Sequence, residues 1–179
     1  MKRSLYIDFD GVILDTIPPL YKIIKDYNES LYNRMIDHTL SNDDELKIRE
    51  LMSHVDWNIL LKETPQINDS IRHINDIVKS QKYDVAILTH VNSFKEMEAK
   101  FAFISSKINS EIDIICVPKR FDKTVATRSC KDCILIDDHS DNIKKWIDAG
   151  GIGIKFTSHP EKHPEFKCIS SLDQLMNLI

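Results

Sequence analysis

The sequence predicts an α/β fold: a Rossmann-like parallel β-sheet with helices on both faces and a small helical cap inserted after the first strand. Short segments rich in β-branched apolar residues alternate with segments of helical length, which is the pattern of βαβ units. The short segments are continuous apolar runs, as expected of strands that are buried on both faces. Several of them end in polar residues, and the carboxyl ends of parallel strands form the edge where such folds bind ligands.

The predicted elements follow this alternation through the second half of the chain. Apolar content and length predict five strands, at residues 4–9, 84–88, 112–117, 133–136 and 152–155. Apolar residues at helical spacing predict four helices, at residues 69–80, 93–108, 142–149 and 172–179. In the second of these helices, the spacing of Phe94, Met97, Phe101 and Ile104 predicts the buried face.

Residues 10–83 separate the first two predicted strands, far more than one crossover helix needs. A helix is predicted after Pro18-Pro19, and Ser41 is a predicted N-cap for a helix with an acidic first turn that runs to His54. Pro65 then predicts a break in the chain. We therefore expect residues 16–66 to form a helical cap, and residues 1–15 and 67–179 to form the α/β core.

Composition restricts the classes of function. The formal net charge is −4, with 24 basic and 28 acidic residues interspersed, so no basic surface is predicted that would bind a nucleic-acid polymer. No apolar run has the length of a membrane span, and the N-terminus does not have the form of a signal peptide. We expect a cytoplasmic protein without a membrane partner. The Cys130–Cys133 pair lacks the second pair that a zinc site would need.

Two acidic pairs follow two of the predicted strands. Asp8 and Asp10 lie two residues apart after the first strand and precede Gly11, and Asp137 and Asp138 follow the fourth strand. Carboxylates gathered at one edge of a sheet would repel each other unless a cation lies between them, and hard oxygen ligands suit Mg²⁺. Each pair alone could be a solvated turn or a helix cap, but two such pairs at one edge favour a functional site.

Two further strand ends carry groups that suit a phosphate. Thr89 and His90 follow the second strand, where the Thr89 hydroxyl could donate to a phosphate oxygen or cap the next helix. Lys119 and Lys123 follow the third strand, and either ammonium could neutralise both a phosphate and a carboxylate.

The order of these motifs resembles the haloacid-dehalogenase superfamily of phosphatases. The segment DFDGVILDT, then Thr89, then a lysine, then LIDDHSDNIKKWIDAGGIGI match the four motifs and the last strand of that superfamily. Within it, the LKETP segment, the DKT segment and LIDD are similar to the 5'(3')-deoxyribonucleotidase-like group. The DKT context favours Lys123 over Lys119 as the phosphate lysine.

This resemblance implies a magnesium-dependent phosphomonoester hydrolase. Asp8 would attack phosphorus, and Asp10 would act as general acid and base and offer its backbone carbonyl to Mg²⁺. Asp8 and Asp138 would supply carboxylate ligands, with Asp137 orienting the metal or its waters. Thr89, the adjacent backbone at His90, and Lys123 would bind the phosphate.

The resemblance makes a small phosphorylated metabolite the expected partner. A nucleoside monophosphate is the first candidate, since an aromatic side chain of the cap could stack on a base. The candidates are Tyr21, Tyr27, Tyr32 and Trp57. Sugar phosphates, phosphomutase chemistry, and a non-catalytic module that binds phosphoryl groups or metal on the same fold remain alternatives. The sequence does not predict the oligomeric state.

Overall fold

The computed structural model describes residues 2–108 and 112–175. Its centre is a six-stranded sheet in the order β3-β2-β1-β4-β5-β6, in which every neighbouring pair is parallel. The strands are β1 (Arg3–Ile7), β2 (Tyr83–Val91), β3 (Asp113–Pro118), β4 (Ile134–Asp137), β5 (Ile152–Phe156) and β6 (Lys167–Ile169). The predicted α/β class with a parallel sheet is confirmed.

Two features of the sheet differ from the prediction. Strand β2 runs through Thr89 and His90 to Val91 because these residues pair with β3 as far as Pro118, so Thr89 lies inside the strand and not after it. Strand β6 was not predicted, because its three residues are too short to form a recognisable apolar run. It pairs with β5 at the edge of the sheet.

Seven α-helices connect the strands in the described part of the chain. Five lie between β1 and β2, and two follow β2. They are α1 (Ile17–Tyr27), α2 (Glu29–Ile36), α3 (Asn42–Ser53), α4 (Trp57–Glu63), α5 (Ser70–Lys79), α6 (Phe94–Lys107) and α7 (Ser140–Asp148). The predicted C-terminal helix begins as a 3₁₀ turn at Leu172–Gln174, and its residues 176–179 lie outside the described residues.

The insert between β1 and β2 is helical, as predicted, but contains more helices than expected. Helix α1 has proline in its first turn, and α3 begins at Ser41 with a capping box in which Ser41 and Asp44 exchange hydrogen bonds. Helices α2 and α4 were not predicted. They have 8 and 7 residues, which is too short for a clear helical period.

The two segments that join the insert to the sheet run side by side. Asp15 N donates to Pro65 O (3.0 Å) and Ile67 N donates to Ile13 O (2.9 Å). The insert therefore leaves and re-enters the α/β layer at one place. We keep the division into a cap (16–66) and a core (1–15 and 67–179) as a proposal.

The predicted buried face of α6 was only partly correct, because Ile104 is buried but the two phenylalanines are not. Phe94 is 80% exposed and Phe101 is 41% exposed. Beside Ile104, the helix buries Glu96, Ala99 and Lys100, which were not predicted to be buried. Charged residues can occupy that face because Glu96 and Lys100 form an ion pair with each other at 2.9 Å.

The sheet provides the hydrophobic core. Leu5 and Ile7 of β1 are fully buried, as are Ile134 and Ile136 of β4 and Ile154 of β5. Burial of both faces of the central strands explains their continuous apolar sequence. None of the described helices has the length and apolar character needed to cross a membrane.

Candidate active site

The chain reverses its direction of progress across the sheet at β1. Strands β2 and β3 extend the sheet on one side of β1, and β4, β5 and β6 extend it on the other. In open α/β sheets, ligands bind beyond the carboxyl ends of the strands at this switch point. The residues after β1 and at the end of β4 are therefore placed at the expected ligand site.

The structure brings Asp8, Asp137 and Asp138 together at the switch point. One carboxylate oxygen from each residue lies within 4.8 Å of the others. Asp137 is fully buried and Asp8 is 6% exposed. Both predicted acidic pairs thus contribute to one cluster.

Lys123 neutralises part of this cluster. Its Nζ lies 2.7 Å from Asp8 Oδ1 and 2.7 Å from Asp137 Oδ2, and the side chain is buried. Asp137 also accepts hydrogen bonds from His139 N (2.7 Å) and from Asn142 Nδ2. Lys123, His139 N and Asn142 together hold the Asp137 carboxylate, and Lys123 links it to Asp8.

Gly11 leaves room for Asp138. Its φ of +70° lies in the left-handed region, and a Cβ at this position would lie 2.3 Å from Asp138 Oδ2. The backbone carbonyl of Asp138 accepts a hydrogen bond from Lys155. The Asp138 carboxylate can approach the β1 turn only because residue 11 has no side chain.

Burial and repulsion shift the pKa values of the clustered carboxyls. Burial raises the pKa of Asp8, and Asp137 and Asp138 add to the shift, although the charge of Lys123 opposes it. Burial and the adjacent Asp137 charge raise the pKa of Asp138 to about 7. Such shifts mean that the ionised cluster needs more positive charge than Lys123 alone provides.

The residues of the cluster fit a divalent cation. Three carboxylates offer hard oxygen ligands within the span of one ion, and the raised pKa values indicate that their combined charge is not balanced. The Asp10 carboxylate is not part of the three-residue cluster.

Asp10 is held instead by two other side chains. Thr16 Oγ1 donates to Asp10 Oδ1 at 2.8 Å, and Lys100 Nζ donates to Asp10 Oδ2 at 2.6 Å. Burial by itself would raise the pKa of Asp10, but the charge and hydrogen bond of Lys100, with that of Thr16, lower it below the usual value. Asp10 is therefore an anion in this arrangement.

Thr89 is fully buried beside the same lysine. Lys100 Nζ donates to Thr89 Oγ1 (3.0 Å) and to His90 O (2.9 Å), and Thr89 does not cap α6, since Ser93 is the N-cap. The predicted alternative role of Thr89 as a helix cap was wrong because β2 continues past it. Its predicted contact with phosphate stays a prediction.

His90 lines the cavity above the carboxylates. His90 Nε2 lies 2.9 Å from the carbonyl oxygen of Phe121. Burial lowers the pKa of His90 to about 4, and the nearby charges of Lys123 and Lys119 contribute. The imidazole is therefore neutral at neutral pH and can act only as a neutral hydrogen-bonding group there.

A cavity of about 270 Å³ opens over the site. Asp8, Asp10, Asp138 and Lys119 line it, and Ile17 at the start of α1 is its contribution from the insert. The four aromatic residues that were candidates for stacking on a base do not line it. Trp57 is buried and donates Nε1–H to Met52 O, and the rings of Tyr21 and Tyr32 pack edge to face.

The sequence did not reveal Lys100, Glu96 or Thr16 as members of the site. Glu96 and Lys100 are spaced i, i+4, which is common on exposed helix faces. Their neighbours Ala99 and Ile104 share the buried face. A charged pair among small and apolar residues was the signal that could have identified them.

Comparison with known proteins identifies the family of this chain. Residues 6–143 match the family model described as haloacid dehalogenase-like hydrolase, and the chain belongs to that family. No curated protein matches the chain.

Solved structures of low sequence identity share the fold. A hydrolase from Pseudomonas syringae has a TM-score of 0.70 at 13% identity, with 99% of this chain and 98% of that chain covered. A β-phosphoglucomutase from Clostridium difficile has a TM-score of 0.60 at 16% identity (98% and 93% covered), and a magnesium-bound HAD-hydrolase from Bacillus subtilis has 0.59 at 16% identity (98% and 97% covered).

Proposed function

We propose that this chain is a magnesium-dependent phosphomonoester hydrolase that forms an aspartyl-phosphate on Asp8. One observation carries the proposal: Asp8 lines a cavity, and its carboxylate is ion-paired with the buried ammonium of Lys123 and grouped with Asp137 and Asp138. A carboxylate with a neutralising lysine and a cation site can act as a nucleophile toward phosphorus. Membership of the hydrolase family supports the same chemistry.

The proposed reaction has two steps. A carboxylate oxygen of Asp8 attacks phosphorus, the bond from phosphorus to the ester oxygen breaks, and the leaving oxygen takes a proton from Asp10. A water molecule then attacks the phosphorus and gives a proton to Asp10. The bond between phosphorus and Asp8 breaks, and inorganic phosphate leaves.

Asp10 has the position that these proton transfers need. It lines the same cavity as Asp8 but its carboxylate is held by Thr16 and Lys100 outside the three-carboxylate cluster. The ionised state of Asp10 is the form required of the base in the second step. In the first step Asp10 has to carry a proton, which is the one that the attacking water gave it in the preceding turnover.

Asp8 and Asp138 would hold Mg²⁺, with Asp137 orienting it and the backbone carbonyl of Asp10 as a further ligand. When bound, the cation neutralises charge on the phosphoryl group and templates in-line displacement. We propose that Lys123 neutralises the phosphate as well as Asp8, and that Thr89 and the backbone at His90 complete the phosphate site. Lys119, which lines the cavity, would be a secondary source of positive charge.

We propose a small phosphomonoester as the substrate, with a nucleoside monophosphate as the first candidate. The proposal of a nucleotide substrate rests on the resemblance of the LKETP, DKT and LIDD segments to deoxyribonucleotidase-like proteins. The cavity of about 270 Å³ lies just below the usual range for ligand sites. That size favours sugar phosphates and other compact metabolites as the second candidate.

Phosphate release from a nitrophenyl phosphate tests the hydrolase. Activity should require Mg²⁺, disappear with chelator and return when Mg²⁺ is restored. Asp8→Asn should abolish it, whereas Asp84→Asn, which changes an exposed aspartate of β2 away from the cavity, should leave it unchanged. Full activity of Asp8→Asn would overturn the proposal, and phosphate binding without turnover would identify a non-catalytic module.

A panel of nucleoside monophosphates and sugar phosphates tests the substrate. The nucleotide proposal predicts higher kcat/KM for at least one nucleoside monophosphate than for any sugar phosphate. If sugar phosphates are hydrolysed and nucleoside monophosphates are not, the nucleotide proposal is wrong. Transfer of the phosphoryl group to a second sugar hydroxyl, without release of phosphate, would indicate a mutase.

A further inference from the structure

Lys100 is a fully enclosed charged residue of the site. Its side chain has no exposed surface, and Nζ contacts Asp10 Oδ2 (2.6 Å), Glu96 Oε1 (2.9 Å), Thr89 Oγ1 (3.0 Å) and His90 O (2.9 Å). A buried lysine with two carboxylate partners is costly to maintain unless its geometry serves a purpose. Neither the sequence motifs nor the proposed reaction steps assign it a role.

All three N–H groups of the Lys100 ammonium are engaged by its four oxygen acceptors, which leaves none for a substrate. It acts on the site only through its partners. Two of these, Asp10 and Thr89, are residues for which the proposed reaction has a use. Glu96 also accepts hydrogen bonds from Asn92 N (2.7 Å) and Asn92 Nδ2 (3.1 Å), which fixes the pair to the end of β2.

The Asp10 carboxylate is fixed at both oxygens. Thr16 holds Oδ1 from the start of the helical insert, and Lys100 holds Oδ2 from helix α6. A carboxylate held at both oxygens cannot rotate freely, and each oxygen still has a lone pair that can accept a proton. This grip keeps the Asp10 side chain apart from the Asp8, Asp137 and Asp138 cluster.

We propose that Lys100 is a positioning residue that holds Asp10 in place for proton transfer to the leaving group, with Glu96 as its counter-ion. The inference rests on the proposed function, because it needs Asp10 to act as the acid. It adds a specific requirement: loss of Lys100 should impair the transfer of the proton and not the attack by Asp8.

The dependence on the leaving group separates this role from a structural one. A nitrophenolate is a good leaving group and needs little help from an acid, whereas an alkoxide needs a proton in the transition state. A misplaced Asp10 should therefore slow alkyl phosphates much more than nitrophenyl phosphate. A general loss of folding or of phosphate binding would slow both substrates equally.

The test compares kcat/KM, which reports on formation of the aspartyl-phosphate, for an alkyl and a nitrophenyl phosphate. The variant combines Lys100→Met with Glu96→Gln. The second change prevents the loss of the lysine from leaving a buried, unpaired charge at Glu96. We expect a loss of about 100-fold for the alkyl ester, a typical contribution of general acid catalysis, and a much smaller loss for the aryl ester. Lys95→Met, an exposed lysine of the same helix, is the matched control and should change neither.

Asp10→Asn provides the reference. Adding Asp10→Asn to the Lys100 and Glu96 changes should cause no further loss beyond that of Asp10→Asn alone, because the lysine acts through this carboxylate. Equal losses for both esters, or additive losses in the combined variant, would overturn the positioning role. If Asp10→Asn itself leaves both esters unaffected, the proposed acid is wrong and the failure lies with the proposed function.

If the paired variant does not fold, Lys100→Arg keeps the charge while altering the reach of the donor. Retained thermal stability with a selective loss on the alkyl ester supports positioning. The positioning role is contradicted if the folded Lys100→Arg variant hydrolyses the alkyl ester at the full rate and Glu96→Gln lowers kcat/KM equally for both esters.

Discussion

At the scale of single residues, the site depends on how buried charges are partnered. Asp8 and Asp137 share Lys123, and Asp10 shares Lys100 with Glu96. The structure thus divides the acidic residues into two groups with separate lysines. This separation suits the proposed roles, in which Asp8 is the nucleophile and Asp10 transfers protons.

Lys123 and Lys119 should differ sharply when each is replaced by alanine. Lys123 lies 2.7 Å from Asp8 Oδ1, so its loss removes the charge that neutralises the nucleophile and the phosphate. We expect Lys123→Ala to lower kcat by at least about 100-fold, in the range measured for lost electrostatic stabilisation. Lys119→Ala should cost far less. Steady-state kinetics on the same ester would reveal the reverse order if the role belongs to Lys119.

Gly11→Ala should damage the cation site. The methyl group would meet Asp138 Oδ2 and would also have to adopt the left-handed φ of +70°. Displacing a catalytic group by about 1 Å can cost about 100-fold in rate, so we expect a loss of that order and weaker activation by Mg²⁺ titrated in the assay. Gly150→Ala is the matched control, because it has φ +89° with no atom within 4 Å. Gly150→Ala should lower the free energy of unfolding but leave kcat unchanged. Equal activity of Gly11→Ala and Gly150→Ala would contradict the role given to Gly11.

His90 should make the folded state sensitive to mild acid. Its pKa is about 4 in the folded protein because of burial and the nearby lysines, and about 6.5 in an unfolded chain. Between these values the unfolded chain binds the extra proton, so the free energy of unfolding falls as the pH falls from 6.5 toward 4. Urea unfolding at pH 7.5 and pH 5 measures how far the free energy of unfolding falls between the two pH values. This fall should be smaller for His90→Gln than for the natural protein. An unchanged decrease would mean that His90 does not contribute.

At the scale of elements, the sequence predicted the strands better than the helices. Strands β1 and β4 were recognisable because each is a short apolar run that ends in aspartates. Strand β6 escaped because it has only three residues. The position of Thr89 was misjudged because the pairing of β2 with β3, which is a tertiary contact, extends the strand beyond its apolar run.

The buried face of α6 shows why part of the site could not be predicted. Hydrophobic periodicity placed Phe94 and Phe101 inside, but both are exposed, while Glu96 and Lys100 are buried. Periodicity assumes that charged residues face water. It fails where a charge finds its partner on another element, as Lys100 does with Asp10 of the β1 turn.

Helix α3 offers a test of an element that was predicted correctly. Ser41 Oγ accepts a hydrogen bond from Asp44 N, and the Asp44 carboxylate accepts one from Ser41 N. Ser41→Ala should lower the free energy of unfolding by about 1 kcal/mol, the usual cost of losing an N-cap. Urea unfolding should detect this decrease. Ser53→Ala, at the other end of the helix, is the control, and an equal loss there would show that the cap is not the cause.

At the scale of the whole molecule, one edge of the sheet gathers the clustered polar groups, and the helical insert begins beside it. The insert joins the sheet where residues 13–15 run beside residues 65–67, and Ile17 is the part of it that lines the cavity. Thr16 holds Asp10 from the first residue of the insert. Movement of the insert would therefore displace Asp10, which links the proposed cap to the proposed acid.

The central claim is that the tips of β1 and β4 surround one cation beside a nucleophilic Asp8. A crystal soaked with Mg²⁺ and beryllium trifluoride, a mimic of the phosphoryl group, tests this claim most directly. We predict the beryllium fluoride bonded to an Asp8 carboxylate oxygen, Lys123 beside its fluorides, and Mg²⁺ bound by Asp8 and Asp138. Beryllium fluoride on another residue, or Mg²⁺ bound away from these two carboxylates, would contradict the account.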